Sequence, residues 1–233
     1  MTSPQRPAPA QPAWVRSLHE AGELRADWGH ILATVPRHLF LPDLMWPFDL
    51  ERGKVLTIDK ANAPDVWCRW SEADAAIVTQ WDDGAHAGPG PGAVPTSSAS
   101  APTLVAQMLQ DLDVQPGDRV LDVGVGTGWT AALLSAYLGD DHVTGIELDP
   151  GVAAEATRRL AAAGYHPTVV TGDGAAGDES SAPYDRVQAT YAVRRIPPAW
   201  IEQTRPGGLI VAPWVTPFTH IGAVARLTVT TPG

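Results

Sequence analysis

The chain is nearly without cysteine: Cys68 is the only one in 233 residues. That excludes a disulfide framework and any thiolate metal site. The seven histidines show no paired spacing on a helix, so no metal is expected. No apolar run approaches the roughly 20 residues that span a bilayer. The first ten residues, rich in Pro, Ala, Ser and Gln, contain no signal-peptide core. Positive charge is scarce too: 16 Lys and Arg against 26 Asp and Glu leave a formal net charge of −10. This argues against nucleic-acid partners, whose non-specific affinity comes from neutralised phosphates. The expectation is a soluble, cytoplasmic protein with no membrane contact, long enough to bury a full core.

What is present centres on Arg119-Val-Leu-Asp-Val-Gly-Val-Gly-Thr-Gly-Trp129, an apolar strand running into three alternate glycines and then a helix. Gly124, Gly126 and Gly128 let the backbone turn sharply and come close to a ligand, which side chains would prevent. The spacing Gly-x-Gly-x-Gly, with Asp122 two residues ahead, differs from the Gly-x-Gly-x-x-Gly of dinucleotide folds. That shift favours S-adenosylmethionine over NAD. A second apolar run, His142 to Asp149, ends in acid about 20 residues beyond the glycines, where a carboxylate accepts ribose hydroxyl hydrogens. Glu147 is the expected ribose ligand and Asp149 the weaker choice. A third strand, Pro167 to Thr171, ends in Gly172-Asp173-Gly174. Asp173 either reaches the adenine amino group or merely serves a turn between glycines.

The order strand, helix, strand, helix predicts an α/β fold: a mostly parallel sheet covered by helices on both faces. Helices are predicted over Gly128 to Leu138 and Pro150 to Ala163, the second with proline in its first turn. Further strands are predicted over Tyr184 to Ala189 and Leu209 to Ala212. A helix from about Pro197 to Thr204 lies between them, stopped by the following Pro-Gly-Gly. After Pro213 an antiparallel pair is expected to finish the sheet, for which residues 221–230 supply one clear strand. Ligands in such sheets sit beyond the carboxyl ends of the strands, where Gly124, Glu147 and Asp173 fall.

Residues 1–12 are read as a flexible tail, 13–94 as a substrate-side extension and lid, and 95–233 as the cofactor-binding domain. Within the extension, Trp14 to Val35 has the spacing of one amphipathic helix. Trp14, Trp28, Trp46, Trp67, Trp70 and Trp81 crowd the first 81 residues. They either line a peptide cleft or form a small satellite core. Asp82 to Gly92, rich in Gly and Pro, reads as a flexible connector or lid.

Four segments carry a family resemblance. Thr96-Ser-Ser-Ala-Ser-Ala-Pro-Thr-Leu-Val-Ala-Gln-Met108 and the following Gln115 to Gly128 resemble the protein-L-isoaspartate O-methyltransferase family, as do Val35-Pro-Arg-His-Leu-Phe40 and Ile196 to Gly208. The resemblance spans roughly residues 35 to 215 and implies the Rossmann-like class I methyltransferase fold. By carry-over, Asp122, Gly124, Val125, Gly126, Thr127, Gly128, Glu147, Leu148, Gly172, Asp173 and Gly174 would hold S-adenosylmethionine, released as S-adenosylhomocysteine. Ser100 matches the active-site serine, with Ser98 assisting and Thr96 and Ser97 on the substrate side. Without the resemblance, the same serines read as caps for a helix beginning near Pro102.

The implied reaction esterifies an aspartyl or isoaspartyl carboxylate of a peptide or protein, leading to succinimide. Trp67 to Gly84 and Tyr191 to Pro197 look closer to a divergent branch that accompanies ribosomal peptide maturation (graspetide, lanthipeptide and lasso-peptide pathways). A dedicated maturation substrate is therefore the expectation, with isoaspartate repair as the alternative and an idle cofactor-binding partner protein as a third reading. Arg194 and Arg195 follow a strand's carboxyl end and either clamp acidic peptide groups or are simply solvated. Relatives of the maturation type commonly continue into another C-terminal domain, so a C-terminally truncated or short chain is part of this reading. The expected state is a monomer or weak dimer.

Overall fold

A computed structural model describes residues 13–22, 24–218 and 222–230; the expected N-terminal tail and the last three residues lie outside them. Two helices, α1 (Ala13–Glu20) and α2 (Ala26–Thr34), come first. They replace the single helix expected over Trp14 to Val35. Gly22 adopts φ 72° just past α1, and Arg25 is extended ahead of α2, so the helical path ends and restarts.

A small antiparallel sheet follows, built from β1 (Leu44–Asp49), β2 (Lys54–Val55) and β3 (Ile58–Asp59), then α3 (Pro64–Ser71), β4 (Ile77–Trp81) and β5 (Pro95–Ala99). β1 pairs with β2, β3 and β4, and β4 pairs with β5. Leu41, Met45, Ile58, Trp67, Ile77 and Ala99 form its core. The tryptophans thus divide between cores rather than lining one cleft: Trp67 is in this cluster, and Trp28 is in the main one. Asp82 to Gly92 lies within the β4–β5 connection, where Trp46 Nε1 donates to Pro89 O at 2.9 Å.

The main unit begins with α4 (Pro102–Leu112) and β6 (Val120–Val123), then α5 (Trp129–Leu138), β7 (Val143–Glu147), α6 (Pro150–Ala162) and β8 (Thr168–Thr171). It closes with β9 (Tyr184–Ala189), α7 (Pro198–Glu202), β10 (Thr204–Trp214) and β11 (Ala223–Thr228). The sheet order is β11-β10-β9-β6-β7-β8, parallel except for β11. β6 and β9 are buried at every position, as a strand covered on both faces must be.

One local expectation fails here, and one alternative reading is not seen. α7 stops at Glu202, and Pro206-Gly-Gly208 is not its stop: it sits inside β10. The pairing with β9 shifts between Thr204 and Leu209, and Gly207 takes φ 83°. A Cβ on Gly208 would stand 2.8 Å from Asp185 O, so the glycines serve a bulge pressed against the neighbouring strand. The serine segment does not cap α4 either. Ala101 is the N-cap with no side-chain bond, and Ser97 and Ser98 are paired in β5.

α1 and α2 do not stand apart from this unit. Val15, Leu18, Trp28 and Leu32 share one buried cluster with Val105, Leu109 and Leu133, and Trp28 stacks on Tyr137 at 4.8 Å. No helix among the described residues is long and apolar enough to cross a membrane.

Candidate active site

The carboxyl ends of β6, β7, β8 and β9 meet at the glycine loop. Gly124, Gly126 and Gly128 all have positive φ (79°, 56° and 93°), a region that L side chains enter only with strain. The loop is tied to the next strand: Gly124 N and Val125 N both donate to Ile146 O, at 2.8 and 3.3 Å. Val125 turns inward, its Cγ2 packed where Gly145 has no side chain. Thr127 is buried, and Gly128 is the N-cap of α5.

Beneath the loop lies Asp122, fully buried. Its Oδ1 accepts from Gln188 Nε2 at 3.2 Å. Its Oδ2 and the Oε1 of Gln188 have no partner among the described residues. Burial pushes the Asp122 pKa up to about 7, with the nearby Glu147 charge adding to the rise against the Gln188 bond.

Glu147 ends β7 and reaches back over the loop, where Oε2 accepts from Gly126 N at 2.9 Å and Oε1 from Asp149 N at 3.2 Å. Asp149, the weaker ribose choice, caps α6. Oδ1 accepts from Gly151 N (2.7 Å) and Val152 N (3.0 Å), and Oδ2 from Gln80 Nε2 (3.0 Å). These bonds, Val152 N first, hold its carboxyl below the usual range. Leu148, between the two acids, is 69% exposed and so offers a bare apolar face beside Glu147. Gly172 N donates to Glu147 O at 2.9 Å, which brings the β8 turn alongside. There Asp173 caps a short turn through Ala175 N (2.9 Å) while remaining exposed, so the turn role is present and the carboxylate still faces outward.

Tyr191 was not singled out by spacing. Its ring lies 2.8 Å from where a Cβ on Gly124 would stand, and its hydroxyl 3.1 Å from the corresponding point on Gly174. Burial and the charges of Asp173 and Glu147 push its pKa up. Thr190, just before it, donates to Gly124 O at 3.4 Å. Position one or two past the carboxyl end of β9 was the available signal for both.

Opposite the loop runs β5. Ser98, Ala99 and Ser100 line a cavity of about 20 Å³ with Gly124, Gly126, Trp129 and Thr190. The two serines are thereby brought against the glycine loop although Ser100 and Gly124 lie 24 positions apart in the chain. Thr96 and Ser97 are engaged in the hairpin: Thr96 donates to Gln80 Oε1 (2.9 Å), and Ser97 Oγ accepts from Thr79 (3.2 Å). Arg194 and Arg195 are exposed on the loop after β9 and line none of this cavity. They precede α7 rather than beginning it.

The residues fit an adenosyl-bearing amino acid by three observations: a cradle that side chains would fill at Gly124, a buried unpartnered acceptor at Asp122, and a carboxylate at the end of β7.

Comparison with known proteins agrees. The sequence model of the protein-L-isoaspartate(D-aspartate) O-methyltransferase family matches residues 91–222. The protein-L-isoaspartate O-methyltransferase of Ignicoccus hospitalis is 42% identical over 116 residues, 49% of this chain and 55% of that protein. The match thus spans about half the length of such curated relatives. A solved protein-L-isoaspartate O-methyltransferase superposes with a TM-score of 0.72 at 22% identity, covering 96% of this chain and 61% of that one. A Plasmodium falciparum protein solved with S-adenosyl-L-homocysteine superposes at 0.64 with 12% identity, covering 95% of both chains. These two likenesses show a shared fold. With the family match running from the β4–β5 connection past β10, the chain belongs to the protein-L-isoaspartate(D-aspartate) O-methyltransferase family.

Proposed function

We propose that this protein methylates the free α-carboxylate of isoaspartyl residues in peptides or proteins, with S-adenosylmethionine as donor. The observation that carries the reading is the meeting of Ser98 and Ser100 with the glycine loop across one small cavity. S-adenosylmethionine supplies a methyl group activated by its positive sulfur. Glu147 would hold the ribose hydroxyls, Asp173 the adenine end, and Leu148 the apolar ring face.

An acceptor carboxylate has a pKa of about 4 and is already ionised near neutrality, so the protein needs no general base. Its task is placement and exclusion of water. Ser100 would orient the acceptor through a hydrogen bond, with Ser98 beside it. Once the methyl ester forms, the following backbone amide nitrogen attacks the carbonyl and expels methanol, closing a succinimide. Water then opens that ring to aspartate or isoaspartate.

The relatives matched are named for isoaspartate, which favours that acceptor over a dedicated maturation substrate. The sequence of Tyr191 to Pro197, with Arg194 and Arg195 exposed beside the site, is what keeps the maturation reading as the second arm. Mass spectrometry after incubation with S-adenosylmethionine tests both. Methylation of a generic isoaspartyl peptide is the expected result. Methyl gain or methanol loss only on a ribosomal precursor peptide encoded beside the gene would transfer the assignment to maturation. Intact cofactor binding with no transfer to either would mark an idle domain.

A further inference from the structure

Arg37 sits in the turn after α2 and is 4% exposed, yet every hydrogen bond it makes among the described residues ends on a main-chain carbonyl. Nη1 donates to Ala73 O at 3.2 Å. Nη2 is shared among Ala75 O (3.0 Å), Ala99 O (3.1 Å) and Ser100 O (2.9 Å). Nε has no partner. The guanidinium carbon lies 5.9 Å from the centre of the Trp129 ring. Burial lowers the pKa to about 10, opposed by the charges of Asp74 and then Glu72, so the group stays protonated at neutral pH.

A buried cation without a bonded carboxylate is costly, because desolvation is not repaid by an ion pair. What it obtains here is several charge-assisted bonds from one rigid planar fork, which a lysine ammonium cannot reproduce. The carbonyls it gathers belong to two places: the approach to β4, and the end of β5. The β4–β5 ladder begins at Ile77 and Ala99 and does not include Ser100, while α4 starts at Pro102. Ser100 therefore lies between two regular elements, with Arg37 on its carbonyl. Trp129, which the guanidinium approaches, lines the same cavity as Ser98 and Ser100.

We infer that Arg37 is a positioning residue for methyl transfer, pinning the Ala99 and Ser100 carbonyls and so setting where the Ser100 hydroxyl meets the acceptor carboxylate. The inference rests on the proposed carboxyl methylation, and it is tested in the full chain with R37K, S100A and the R37K/S100A double variant. S-adenosylmethionine affinity is measured by calorimetry, and kcat and KM with an isoaspartyl peptide. R37K and S100A should each lower kcat about tenfold, the scale of one oriented hydrogen bond. Cofactor affinity should stay within about twofold. The double variant should be no worse than either single one, since both changes act through the same hydroxyl. A double variant slowed about a hundredfold, or an R37K enzyme with unchanged kcat, overturns the inference.

Amide hydrogen exchange separates it from the underlying reading. In R37K, exchange should quicken over residues 96–105 while β6 and α5 keep their protection. If the wild-type chain methylates no carboxyl peptide, the proposed function falls and exchange alone decides: faster exchange confined to 96–105 supports positioning, and unchanged exchange there removes it. Loss of a cooperative melt in R37K, and in R37A supplied with ethylguanidinium, would make Arg37 a general brace and overturn the proposal.

Discussion

Two carboxylates on neighbouring strands hold opposite environments in this site. Glu147 stands at a strand end among N–H donors, whereas Asp122 is sealed under the loop with one oxygen unpartnered. Glu147→Gln should weaken S-adenosylmethionine binding about 10- to 100-fold, the range of a charge-assisted hydrogen bond. Calorimetry checks this, with an unchanged melting temperature as the control.

Asp122 makes a prediction about pH. Its folded pKa, near 7, lies above the ordinary 3.8, so between those values the folded chain holds a proton that the unfolded chain releases. Ligand-free stability therefore falls as pH rises through this window, by about 4 kcal/mol at most, and the full cost is present above pH 7. Asp122→Asn removes the titration. Urea unfolding of both proteins at pH 4, 6 and 8 should show the wild type losing ground to the variant as pH rises.

Among elements, the glycine loop shows why equal spacing does not mean equal tolerance. A Cβ at Gly124 would strike the Tyr191 ring at 2.8 Å, while one at Gly126 would meet nothing nearer than Ser98 O at 3.7 Å. Both positions carry backbone strain, about 1–2 kcal/mol for a non-glycine residue in the left-handed region. Gly124→Ala should thus lose tenfold or more in cofactor affinity beyond Gly126→Ala, read by calorimetry on the two variants. Equal losses would show that Tyr191 yields freely. The β4–β5 hairpin is joined to the same site through Gln80, which accepts from Thr96 and donates to the Asp149 cap of α6.

At the scale of the molecule, α1 and α2 are part of the main core. Trp28 is buried against Tyr137, and Trp129 Nε1 donates to Val35 O at 2.9 Å, linking the start of α5 to the chain just after α2. Trp28→Ala should cost about 3–5 kcal/mol and lower the melting temperature of one cooperative transition. Calorimetry showing an early separate transition, with the rest of the chain unaffected, would refute this coupling.

The parallel sheet, its helices and the glycine loop were legible from residues because their signals are local. A run such as Val120-Leu-Asp-Val123 states its burial, and alternate glycines state a turn. Local signals misled where a neighbour decides. Pro206-Gly-Gly208 has the composition of a helix stop but answers to the adjacent strand. Likewise, Ser98 reads as part of a cap until β4 pairs with it. Tyr191 over Gly124 and Arg37 under Ser100 join residues 67 and 63 positions apart along the chain. Such contacts come into being only when β6 pairs with β9 and the extension closes on the sheet, because chain proximity supplies none of them.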